Sequence, residues 1–146
     1  MTEHVVLDSS VLVSSFVAGD AFRPVAREVM RRVFRGAYSA IESNVVPPEV
    51  IGAISRKAGV ANARKARARI EKWEELGLFG FVELDRRRRL EAGELALNLR
   101  LRGMDSIIIQ LAREKRAVLI TFDEEMASKA KSVVKVLTAE DIEMKV

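Results

Sequence analysis

The chain has 146 residues and a mass of 16.3 kDa, with 25 basic against 21 acidic side chains, a net charge of +4, 49% hydrophobic residues and a mean hydropathy of +0.04. These values predict a single globular domain over residues 1–146, able to bury roughly 68–70% of its unfolded surface, and exclude a disordered chain. With no cysteine and one histidine, His4, they also exclude disulfides, thiolate metal sites, cysteine nucleophiles and any His cluster.

The first predicted element is a β-branched run over residues 4–7 that ends at Asp8. Residues 9–17 follow with helical spacing, and Gly19 closes them. Residues 22–34 repeat apolar side chains at Val25, Val29, Met30 and Val33, the pattern of an amphipathic helix whose other face carries arginines. A short strand is expected at 38–41. Pro47 and Pro48 open the next helix, as prolines do in a first turn, and Gly59 breaks it. Residues 60–76 read as a basic helix, 79–84 as a strand and 86–102 as a helix. Gly103 precedes a helix at 104–115 that is apolar nearly all round, and such helices are buried. Residues 117–122 form the clearest strand. A helix at 124–131, a strand at 133–137 and a last helix capped by Thr138 complete the chain.

Alternating strands and helices predict a parallel sheet covered on both faces. The stretch from 22 to 76 holds more helix than one βα unit needs, which predicts a helical lobe over one edge of the sheet. The longest uncharged stretch, residues 9–19, is about half the ~20 residues of a bilayer span. The first residues carry no basic run of the secretory kind, so a cytoplasmic protein with no membrane partner is expected.

No P-loop, GxGxxG turn or GxSxG elbow is present. The candidate chemistry is acidic. Asp8 and Asp123 follow apolar strands, and Glu49 and Asp105 lie in the first turns of apolar helices. In an open parallel sheet, ligands sit beyond the carboxyl ends of the strands. Four acids brought there repel one another by roughly 4 kcal/mol per pair at about 4 Å and an effective dielectric near 20. A hard divalent ion reverses that sign, and an all-oxygen donor set selects Mg²⁺ or Mn²⁺. Singly, each acid also reads as a helix cap or a first-turn acid favoured by the helix dipole.

Spacing disposes of three other acidic sites. A dehalogenase-like phosphatase needs Asp at position 10, where Ser stands. A metal-dependent adhesion site needs a hydroxyl residue at 12, where Leu stands. A receiver domain needs an acidic pair at the first strand.

The segments VVLDSSVLV, PPEVIGAISR and MDSIIIQLAREKRAVLITFDEE, in this order and spacing, give the chain its resemblance to PIN-domain nucleases, and within them to the VapC-like toxins of toxin–antitoxin modules. The resemblance covers nearly the whole chain. It implies a three-layer α/β fold whose five-stranded parallel sheet has the order 3-2-1-4-5. It implies that Asp8, Glu49, Asp105 and Asp123 are the acidic quartet that holds Mg²⁺ or Mn²⁺, with Ser10 and Thr121 in support. Glu125 falls where many members carry a further Asp, and Ser10 stands where others carry Asn. The activity implied is metal-dependent hydrolysis of RNA phosphodiesters, in a homodimer restrained by an antitoxin protein.

Two basic clusters are candidates for contact with RNA phosphates. One holds Arg64, Lys65 and Arg67, and the other Arg86 and Arg87. A solvated helix face is the plain alternative for both. With eight aromatic residues, most of them expected in the core, base stacking is not expected to dominate. Two other functions stay open at this point: an RNA-processing nuclease that is no toxin, and a PIN-like module that binds RNA or protein without cutting.

Overall fold

The computed structural model describes residues 2–144. In chain order the elements are β1 (Glu3–Leu7), α1 (Ser9–Phe16), α2 (Arg23–Phe34), β2 (Tyr38–Ser43), α3 (Val46–Ala58), α4 (Val60–Glu75), β3 (Phe79–Val82), α5 (Arg86–Leu99), α6 (Gly103–Lys115), β4 (Val118–Ile120), α7 (Glu124–Ala130), β5 (Val136–Leu137) and α8 (Ala139–Met144). All strand pairs are parallel and the order is β3-β2-β1-β4-β5, as the resemblance implied.

Strands covered on both faces need apolar side chains on both. Val5, Val6 and Leu7 of β1 and Val118, Leu119 and Ile120 of β4 meet that need, and all six are buried. The β1-to-β2 connection runs one way across the sheet, and the β3-to-β4 connection runs back. Right-handed crossovers therefore put α1–α2 and α5–α6 on opposite faces. α6 packs on β1, β2 and β4, with α5 behind it, and α2 packs on β2. The chain reverses its direction of growth between β1 and β4, so the crevice of an open α/β sheet lies at their carboxyl ends.

The expected helical lobe divides. α2 belongs to a layer, whereas α3 and α4 pair with each other and α4 reaches the edge strand β3. Gly59 makes that hairpin possible, because its φ of +90° is closed to residues with a Cβ. The last predicted strand shortens to two residues, since the N–H groups of Val133 and Val134 turn back to the carbonyl of Ala130. Helix α5 stops at Leu99 because Arg100 adopts the left-handed conformation. Thr138 caps α8 as expected: Asp141 N–H donates to its hydroxyl (3.4 Å) and the Asp141 carboxylate accepts from Thr138 N–H (2.9 Å).

An ion network joins α5 to α6. Arg88 donates to both oxygens of Glu114, Arg87 adds a bond of 3.0 Å, and Gln110 another of 3.0 Å. These bonds, Arg88 foremost, hold the Glu114 carboxyl down at about 2. A depressed carboxyl contributes stability above its unfolded value near 4.5 and loses it as pH falls toward 2. Glu114→Gln should therefore cost about 1–2 kcal/mol at pH 7, a range discounted for partial exposure. Urea unfolding as a function of pH checks this, with the difference from wild type closing between pH 4.5 and 2.

Candidate active site

Asp8 ends β1. Its N–H still donates to Ile120 O (2.9 Å), and α1 starts at the next residue. The carboxylate makes no capping bond. Oδ2 instead accepts from the hydroxyls of Ser10 (2.7 Å) and Thr121 (2.9 Å). Thr121 Oγ1 also accepts the N–H of Asp123 (3.1 Å), so one hydroxyl ties the ends of β1 and β4 together. Asp123 is a true cap, with Oδ1 accepting Met126 N–H (3.1 Å) at the start of α7. Glu49 stands in the first turn of α3, where its Oε2 accepts the Ser9 hydroxyl (2.7 Å). Asp105 stands in the first turn of α6.

These four acids come from four elements and feel one another. Asp8 is 6% exposed, and burial raises its carboxyl above the usual range against the pull of Ser10 and Thr121, with Asp123 adding repulsion. Burial raises Asp105 as well and the charge of Asp8 adds to it; Arg102 opposes, and Asp123 and Glu49 add smaller repulsions. Arg102 stands 4.0 Å from Asp105 and is largely exposed, so solvent weakens its pull. Asp105 and Asp123 line a recess of about 100 Å³ with Glu125, Arg100, Arg102 and Lys129. Glu125 is exposed and paired with Lys129 (3.0 Å).

The donor set is all oxygen and its negative charges repel, which fits a hard divalent cation. Among the described residues no three His, Asp or Glu side chains are grouped closely enough to hold a metal ion. Glu49 and Asp123 are instead turned to local donors, Ser9 and Met126.

Glu42 was missed in the sequence. It is fully buried on β2, where Oε1 accepts Leu7 N–H (2.7 Å) and Oε2 has no hydrogen-bond partner. Burial pushes its carboxyl well above the usual range, Leu7 N–H opposes this, and Asp8 adds repulsion. The β1–β2 register runs only to Val5↔Ala40, and the Glu42 side chain takes the next free N–H beyond it. Strand alternation carried the signal: Tyr38, Ala40 and Glu42 share one face, and all three are buried.

Of the basic residues proposed for RNA, Arg64, Lys65 and Arg67 are exposed on α4. Arg86 is exposed at the start of α5, and Arg87 is bonded to Glu91 and Glu114. His4 is exposed.

The PIN domain family model matches residues 5–132. Comparison with curated proteins gives no match. Among solved structures, the chain is similar to the Mycobacterium tuberculosis toxin VapC20, described as cleaving the sarcin–ricin loop. Its TM-score is 0.70 at 18% identity, over 85% of this chain and 93% of that one. It is similar to PAE2754 of Pyrobaculum aerophilum, with a TM-score of 0.70 at 15% identity over 98% and 94%. A toxin–antitoxin complex from Klebsiella pneumoniae gives 0.65 at 18% identity over 92% and 97%.

Proposed function

The chain belongs to the PIN-domain family, and from that premise we propose that it is a Mg²⁺- or Mn²⁺-dependent endoribonuclease, the cytoplasmic toxin of a toxin–antitoxin pair, acting as a homodimer. The observation that supports the chemistry is the repulsion that Asp8, Glu49 and Asp123 exert on Asp105 at the carboxyl edge of the sheet, which the exposed Arg102 offsets only in part. The toxin role and the antitoxin partner are supported by the likeness to toxin–antitoxin structures.

In this reading the four carboxylates hold the ion. When bound, a divalent ion lowers the pKa of a water and stabilises charge on the leaving oxygen. The protein's own part is positional. Ser10 and Thr121 aim Asp8, and Ser9 holds Glu49. Met126 N–H and the Thr121 hydroxyl fix Asp123. Glu42 secures the backbone one residue before Asp8, which makes it a positioning residue.

Incubation of the purified protein with labelled single-stranded RNA tests the proposal. Cleavage should require Mg²⁺ or Mn²⁺ and stop in excess EDTA, and calorimetry should detect Mn²⁺ binding at millimolar metal. Cleavage that persists in excess EDTA overturns the metal-dependent reading. Expression without a partner should arrest growth, and normal growth at full cleavage activity would favour a processing enzyme instead.

A further inference from the structure

Helix α2 carries a feature that the acidic site does not use. Arg23, Arg27 and Arg31 recur every four residues along it, so their side chains stack on one face at steps of about 6 Å. That step is comparable to the one between successive phosphates of a single strand. Arg69 of α4 faces them across a cavity of about 260 Å³. The volume is close to the lower end of the roughly 300–1,000 Å³ of small-ligand pockets, room for one nucleotide-sized unit. Two acids stand near the row: Asp20, which lines a neighbouring recess with Arg23, Arg27 and Arg31, and Glu28. Glu28 bonds Arg31 and Arg32, and no ion pair is seen for Arg23, Arg27 or Arg69 among the described residues. The Arg23 Nε is buried without a hydrogen-bond partner, an orphaned donor of the kind that folded proteins leave for something else to satisfy.

The row begins beside the acidic site. Phe22, immediately before Arg23, is 44% exposed although it is a large aromatic residue. One face of its ring stacks on Phe122 at 5.2 Å. Phe122 lies between Thr121 and Asp123 and is tied to Ser10 through its N–H (3.4 Å). An aromatic ring with one face covered and much of the rest in water is a stacking platform for a base. At the far end of α2, Phe34 is also exposed and borders the same cavity.

We infer that single-stranded RNA leaves the acidic site along α2, with the base next to the scissile phosphate stacked on Phe22 and the following phosphates held by Arg23, Arg27 and Arg31 with Arg69 opposite. The inference rests on the ribonuclease reading and adds the substrate path. Single-stranded character follows from the geometry: a ring and one row of guanidinium groups match an unpaired strand, whose bases are free to stack. It also moves the main RNA contact away from the α4 and α5 clusters.

The test uses the full chain. The probes are a labelled oligouridine of about a dozen nucleotides and a dinucleotide too short to reach Arg27. Arg27→Glu with Arg69→Glu should raise KM on the oligomer about tenfold or more and leave kcat unchanged. Because both positions are exposed, the melting temperature should not move. With two fewer phosphates neutralised, the salt slope of binding should fall by about 1.4. Hydrolysis of the dinucleotide should be unaffected. Phe22→Ala should weaken both probes, since its base lies next to the bond that breaks. An oligomer KM and salt slope equal to wild type would overturn the path while leaving the nuclease reading intact. Oligomer binding followed by anisotropy separates the other case. Binding abolished in the double variant, in a protein that cuts no RNA, supports the path and removes the enzymatic reading. Binding that survives in the double variant, while an acidic polypeptide no longer binds, assigns the groove to a protein and sinks the inference.

Discussion

Asp105→Asn should lower RNA hydrolysis by at least about 10³-fold, equivalent to roughly 4 kcal/mol of transition-state stabilisation. The side chain keeps its shape and loses its charge. In the proposed site Asp105 acts through that charge, and its neighbours Asp8, Asp123 and Glu49 are all acids. The fold should tolerate the change. Loss of a first-turn acid costs α6 about 0.3–1 kcal/mol of helix-dipole energy, while relief of repulsion and of charge burial acts in the opposite direction. Cleavage kinetics at saturating Mn²⁺, together with thermal melting, check both halves. Activity within about tenfold of wild type would remove Asp105 from the reaction.

Ile109→Ala should cost about 3–4 kcal/mol of folding stability, within the range for opening a cavity in a close-packed core. Ile109 is fully buried, one helical turn beyond Asp105, on the helix that packs against β1, β2 and β4. Against the roughly 5–15 kcal/mol that a domain holds in total, this is a large share. It corresponds to a melting temperature lower by about 10 °C for a chain of this length. Chemical denaturation measures it directly. A loss below about 1 kcal/mol would mean that α6 is not anchored by its apolar face. Well below the melting point the variant should still cut RNA, which distinguishes a core defect from a site defect.

Much of this architecture is legible in the sequence because the sheet is buried on both faces. Runs such as Val5-Val6-Leu7 and Ala117-Val118-Leu119-Ile120 have no other use, and the acids that follow them, Asp8 and Asp123, come at the carboxyl edge of the sheet. The prolines at 47 and 48 and the glycine at 59 punctuate α3 for local steric reasons, and local reasons can be read locally. The strand order was implied by family resemblance, since periodicity carries no information about which strands are neighbours. Pairings that join distant segments were illegible. Arg87 and Arg88 look like free phosphate binders until Glu114, on another helix, takes them. Glu42 looks like one more surface acid unless the alternation through Tyr38 and Ala40 is followed to its end. Most of the aromatics are expected in the core, and Tyr38, Phe79 and Phe122 are there. Phe22 and Phe34 are exposed, Phe34 because α2 turns it toward the groove it forms with α4.

The recess between Asp105 and Asp123 is small, at about 100 Å³. In the proposed ribonuclease reading it takes a phosphate group and not a whole nucleotide, so the strand lies over its lip with both arms outside. In that reading a closed circle of RNA would rest on it as well as an open thread, and where the thread is cut depends on what its two arms touch.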